Sequence, residues 1–121
     1  NFKNDNSKKF YLLNQYNNQK AELTLSLDVI FHLIEDDIFH EYMNQLFSSS
    51  ESFVIIYSSN TENNPKGTNS HVRHRKFTNW ITKNKPEWEE IKFIKNSYKR
   101  ETNKGNTESE SFCNFHIYGL K

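Results

Sequence analysis

Phe53-Val54-Ile55-Ile56-Tyr57 is apolar at every position. A strand with one solvated face alternates apolar with polar residues. One that has no polar face is covered on both sides, which is the habit of parallel sheets. The preceding residues supply a partner for it. Leu23-Thr24-Leu25-Ser26-Leu27-Asp28-Val29-Ile30-Phe31 first alternates and then turns continuously apolar. Between the two runs, Ile38, Phe39, Tyr42, Met43, Leu46 and Phe47 recur at i, i+1, i+4, i+5, i+8 and i+9. Glu41, Asn44 and Gln45 fall on the opposite side, the pattern of an amphipathic helix. Glu35-Asp36-Asp37 places three acids at its positive end, and Ser48-Ser49-Ser50 closes it. Residues 23–58 therefore predict one β-α-β unit with parallel strands.

Beyond it, Phe77, Trp80 and Ile81 stand at i, i+3 and i+4, a short second helix stopped by Pro86. Trp88–Lys95 alternates, with Ile91 and Phe93 expected on one face. In Phe112–Tyr118, Cys113, Phe115 and Ile117 are expected to share a face. No helical pattern separates these two runs, so their simplest pairing is antiparallel. Residues 59–72, with Pro65 and Gly67, and residues 96–111 read as long polar loops. Phe10-Tyr11-Leu12-Leu13 is a candidate strand. Residues 1–9 read as a flexible end or linker, and 10–121 as one small α/β domain or part of a larger one, (β)-β-α-β-α-β-β.

Composition narrows the function classes. Sixteen Lys and Arg balance fifteen Asp and Glu, leaving a net charge of +1. A dedicated nucleic-acid binder carries a basic excess that this chain lacks. The lone Cys113 excludes an intramolecular disulfide. No apolar run approaches the roughly 18 residues of a membrane span, and no targeting or lipidation motif is visible. A cytoplasmic protein with no membrane partner is the expectation.

In open parallel sheets, ligands bind beyond the carboxyl ends of the strands. That edge receives Asp28 and His32 from the first strand and Ser58, Ser59 and Asn60 from the second. The loop leaving the same edge carries His71-Val72-Arg73-His74-Arg75-Lys76. Convergence of three polar segments is the minimum for a small-molecule pocket. Each residue also has a structural reading. Asp28 reads equally well as a ligand contact and as a hydrogen-bond partner inside the fold. His32 reads as a general base or, preferably, as a packed histidine tying the strand end to the helix start. Ser58, Ser59 and Asn60 also suit a turn. The basic run reads as a nucleic-acid patch, a solvated helix start, or a lid that grips an anionic or polar substrate.

His32, Asp36 and His40 are spaced i, i+4, i+8, but His32 precedes the helix and His40 flanks its apolar face. No Cys pair or HExxH accompanies them, so no metal site is expected. No Ser sits in a GxSxG, and Cys113 lies in a strand pattern.

Leu23–Asp36 resembles the fourth-strand motif of class I S-adenosylmethionine-dependent methyltransferases, where an acidic residue, apolar residues and a His precede an acidic helix start. An amphipathic helix, a further strand at Phe53–Tyr57, a second helix and a terminal hairpin follow in the same order. Ser26–Asn60 with His71–Trp80 looks like a bacterial subset of that family found beside sugar-modifying enzymes. The resemblance spans roughly residues 10–119. It implies the C-terminal half of a Rossmann-like methyltransferase sheet: parallel strands with crossover helices, ending in an antiparallel hairpin.

The implied cofactor is S-adenosyl-L-methionine, with Ser26, Leu27 and Asp28 near its methionine part and His32 at the pocket rim. Gly67, Gly105 and Gly119 form no GxG, so the family's glycine-rich loop is absent from this chain. The chain also starts at Asn1 rather than Met. The expectation is a piece of a longer enzyme, inactive and weak in cofactor binding by itself. Its open sheet edge is then covered by a missing N-terminal half or by self-association.

Methyl transfer needs an acceptor held in line with the methyl group and, for an oxygen or nitrogen acceptor, a base. His32, His71 and His74 are the candidate bases. Ser58, Asn60, Arg73 and Arg75 are the candidate contacts to a small-molecule acceptor, a sugar or other metabolite. Two other classes remain open. One is a non-catalytic binding or assembly module that retains the second half of the fold. The other is a nucleic-acid methyltransferase or binder that uses residues 71–76.

Overall fold

The β-α-β unit is formed by β1 (Ala21–Leu27), α1 (Asp36–Ser48) and β2 (Ser50–Ser58). The computed structural model describes residues 7–97, 99–101, 108–110 and 112–121. β1 and β2 are parallel, with Leu23 beside Phe53, Leu25 beside Ile55 and Leu27 beside Tyr57. After β2, a loop leads to α2 (Phe77–Asn84) and then β3 (Trp88–Ile94). A separate antiparallel pair follows, β4 (Lys99–Glu101) with β5 (Glu108–Glu110). The last strand, β6 (Asn114–Leu120), enters between β2 and β3 and is antiparallel to both. The main sheet thus has the order β1-β2-β6-β3. β1 is an edge strand, as the open-edge expectation requires.

Both helices contribute to a core on one face of this sheet. Phe39, Met43, Leu46 and Phe47 of α1 and Phe77 and Ile81 of α2 pack with Val54, Ile56, Trp88 and Tyr118. Phe47 meets Trp88 and Tyr118 edge-on, at centroid distances of 5.3 and 5.9 Å. Each α1 residue in this cluster belongs to the stripe read from the sequence. That stripe forms a helix because its apolar positions have somewhere to be buried.

Several boundaries differ from the expectation. β1 ends at Leu27 rather than Phe31, because Asp28 takes φ of 59° and a 3-10 turn follows at Ile30–His32. Asp and Asn tolerate this left-handed conformation better than other residues with side chains. The Asp28 N–H still donates to Tyr57 O, at 3.0 Å. The candidate strand at Phe10–Leu13 does not form; Leu13–Gln15 is a 3-10 turn, and the apolar side chains of the run are exposed.

Phe115 and Ile117 share a face of β6 as expected, whereas the faces of β3 differ from the expectation. His116 and Tyr118 turn toward the helices, while Phe115 and Ile117 lie on the other side. An irregularity in β3 between Glu90 and Lys92 sends Ile91 toward Gly119 and Phe93 toward His116, on opposite faces. An inserted residue reverses the alternation beyond it. The expected loop at 96–111 contains β4 and β5, and part of it lies outside the described residues. So does most of the expected flexible end at 1–9.

Candidate functional site

The carboxyl edge of β1 and β2 gathers three segments. Residues 28–36 leave β1, residues 59–64 leave β2, and residues 71–76 return toward α2. Backbone contacts knit the first and third: the Arg73 N–H donates to Phe31 O at 2.8 Å, and His32 Nδ1 lies 3.2 Å from His71 O. The sequence-predicted convergence of the strand end with the basic run is present.

The basic run has its own internal partners. Arg75 is buried, and its guanidinium donates to Leu33 O, Ile34 O and Asp36 Oδ1. Its carbon Cζ lies 4.5 Å from the centroid of the Phe39 ring, a cation–π contact. Arg73 is half exposed and donates to Ile34 O and Asp36 Oδ1, both at 2.9 Å. The Arg75 hydrogen bond, reinforced by both guanidinium charges, holds the Asp36 carboxyl below its usual range. For Arg75, partial burial pulls the guanidinium pKa down while Asp36 opposes it. Both arginines therefore bridge the loop to the carbonyls ahead of α1.

The helix-start reading explains the rest of the run. Asn60 Oδ1 accepts from the Thr78 N–H at 3.3 Å and the Thr78 hydroxyl at 3.1 Å. Glu62 accepts from the Lys76 N–H at 3.0 Å. Residues from the β2 exit thus cap α2, whose first turn has no acid of its own.

The chemistry-bearing groups left at the edge are Asp28, Ser59, His74 and Cys113. Ser59 Oγ and His74 Nδ1 are 2.7 Å apart, with Ser59 fully buried. The Cys113 thiol approaches Asp28 Oδ1 at 3.7 Å. Burial, assisted by the Asp28 charge, pushes that thiol up to about 12, so it is not a thiolate nucleophile near neutral pH. Phe31, Phe112 and His74 form an aromatic wall: Phe112 meets Phe31 at 5.3 Å and His74 at 5.0 Å, both edge-on. Cys113 and Phe112 come from the return to β6, some 85 residues after Asp28. No local sequence signal connects them to Asp28; only the antiparallel insertion of β6 does.

The predicted cofactor set is divided. Ser26 is buried under α1, where the Tyr42 hydroxyl donates to its Oγ at 2.8 Å. Leu27 lies on the face away from the helices, and Asp28 stands exposed at the strand end. Burial raises the Tyr42 phenol above its ordinary range, partly offset by that hydrogen bond. Ser58 Oγ is buried and has no hydrogen-bond partner among the described residues. Among the described residues, no three His, Cys, Asp or Glu side chains gather as a metal site, and no helix is long and apolar enough to cross a membrane. A separate polar groove of about 590 Å³ between residues 13–20 and α1 contains none of the predicted residues.

No family model, curated protein or solved structure matches the chain.

Proposed function

We propose that residues 10–121 form the second half of a class I methyltransferase fold and serve methyl transfer to a small-molecule acceptor. One observation carries this reading. A parallel β-α-β unit and a second helix are followed by a hairpin whose last strand runs antiparallel within the same sheet, β1-β2-β6-β3. This is the arrangement that the resemblance of Leu23–Asp36 implies. S-adenosyl-L-methionine would supply an electrophilic methyl group on a sulfonium.

Of the three residues expected near that cofactor, Asp28 fits best. Its carboxylate is exposed at the end of β1 and is suited to a positive group. Ser26 acts at one remove, by fixing β1 against Tyr42. Leu27 can offer only apolar surface. For the base, His74 is the best placed of the three histidines. With Nδ1–H donating to Ser59 Oγ, its Nε2 is left unprotonated and able to take a proton from an acceptor. His32 holds the loop through His71 O, a positioning role. Phe31 and Phe112 set apolar surface beside His74. Arg73 and Arg75 shape the loop from within.

The test is calorimetry with S-adenosyl-L-methionine on the longest natural polypeptide that contains this chain, against its Asp28→Asn variant. The expected result is binding that the variant weakens about tenfold, the equivalent of about 1.4 kcal/mol. A natural polypeptide that does not bind the cofactor would sink the proposal.

A further inference from the structure

Among the described residues, the face of the sheet opposite the helices is a broad apolar surface with no assigned role. Its side chains form rows across the strands. Leu25, Ile55 and Ile117 make one row, Leu23 and Phe53 a second, and Leu27, Tyr57, Phe115 and Ile94 a third. Ile91 folds over Gly119 beside Phe53. Neither helix reaches this side, because α1 and α2 both contribute to the core on the other face.

We infer that this face is an interface between two copies of the chain, packed sheet against sheet. The inference rests on the sheet alone and is independent of the methyl-transfer reading. Area is the first argument. Leu23, Leu25, Leu27, Phe53, Ile91 and Ile94 are each 41–53% exposed. At about 200 Å² for a large side chain, these six alone offer about 500–600 Å² per copy. That is the upper end of the apolar patch a monomer leaves in water. Two copies together bury about 1,000 Å² or more, the threshold of a specific interface.

Charge is the second argument. Among the described residues of β3, the register places Glu89 opposite Gly119 and Lys92 opposite Ile117, both on this face and of opposite sign. They stand at the sheet's edge, where an interface keeps its polar rim. A two-fold axis crossing the strands between the Phe53 row and the Ile55 row sets each Glu89 against Lys92 of the second copy. The same operator lays the Leu23 and Phe53 row on the Leu25 and Ile55 row. An isologous contact of this kind closes on itself and stops at two copies. Sheets that pack face to face in this manner sit about 10 Å apart with their side chains interdigitated.

The experiment is sedimentation equilibrium on the 121-residue chain at micromolar concentrations, with circular dichroism to verify folding. A dimer is expected. Leu25→Glu, at a position half exposed in the single copy, should weaken it about tenfold or more, because the interface would bury an unpaired carboxylate. Glu89→Lys should also weaken it, and Glu89→Lys with Lys92→Glu should restore it. This swap lies on the rim and leaves the helix-side core untouched. A folded monomer throughout would overturn the inference and leave the face to a segment from outside the chain. Open-ended aggregation, or a dimer indifferent to both Leu25→Glu and the charge swap, would overturn it equally.

Discussion

Replacing Arg75 and Arg73 one at a time separates a loop that grips a substrate from a loop that is part of the fold. The two arginines lie two residues apart and both reach Asp36, so a substrate-gripping role predicts similar losses for both. The geometry predicts a large difference instead. Arg75 is buried, donates to the carbonyls of Leu33 and Ile34, and lies against Phe39. A hydrogen bond involving a charged group contributes about 1.5–3 kcal/mol when it is sheltered, and a partly desolvated cation–π contact about 1 kcal/mol. Ile34 is exposed and Leu33 half-buried, so water replaces part of what the guanidinium supplies. Arg75→Ala should therefore destabilise the chain by about 2–3 kcal/mol, a Tm lowered by about 10 °C for a domain of this size. Arg73 is 43% exposed and its contacts are open to solvent, so Arg73→Ala should move Tm by a small fraction of that. The assay is thermal unfolding followed by circular dichroism, with Arg75→Lys as a third variant. Lys carries the charge but not the planar fork and should recover only part of the loss. Equal Tm values for Arg75→Ala and wild type would refute the reasoning and return the loop to a substrate-binding role.

Three further outcomes follow from the same contacts. Asp36 has a folded pKa below its ordinary 3.8, so its stabilisation is present above about pH 4 and is lost as pH falls through the lowered value. The Tm difference between wild type and Asp36→Asn should shrink on acidification below that point; a constant difference would exclude the linkage. With its thiol near 12, Cys113 should react with a thiol reagent at pH 8 at least about a hundredfold more slowly in the native chain than in urea. Equal rates would show that the thiol is accessible and ionised. Asn60→Ala removes the acceptor for the Thr78 N–H and hydroxyl and should destabilise α2 by about 1 kcal/mol, read by urea unfolding. An unchanged midpoint would mean that Asn60 does not cap the helix.

The parts of the fold legible in the sequence are those in which burial has a period. The α1 stripe marks the side that meets the core. In the continuous apolar run of β2, Val54 and Ile56 meet it, while Phe53 and Ile55 line the opposite face, which no described helix covers, contrary to what the run led one to expect. The end of β1 was not legible. Asp28 leaves the strand with positive φ while its N–H remains tied to Tyr57, a partner in another strand. The faces of β3 differ from the sequence pattern for a related reason: one extra residue near Ile91 reverses an alternation that the bare sequence presents as unbroken. In the site, the convergence of Asp28, Ser59 and residues 71–76 followed from topology. What these groups do there did not. Arg75 sits in a polar loop and looks like a surface cation, yet carbonyls left unpaired before α1 draw it inward. Ser26, which the resemblance sets near the cofactor, is instead covered by Tyr42, sixteen positions later.

β6 comes last among these strands yet sits inside the sheet. When β3 leaves the ribosome it has no strand to pair with, since its hydrogen-bonded neighbour is still unmade. β1, α1 and β2 can associate early through contacts close in sequence, whereas the β2–β6 contacts close a loop of some sixty residues. Assembly therefore divides into a fast local stage and a slower one that waits for residues 114–120. Loss of those residues would leave β3 unpaired and expose a second edge on β2, so a ribosome that stops short by one strand releases a chain with two sticky borders instead of a slightly shortened protein.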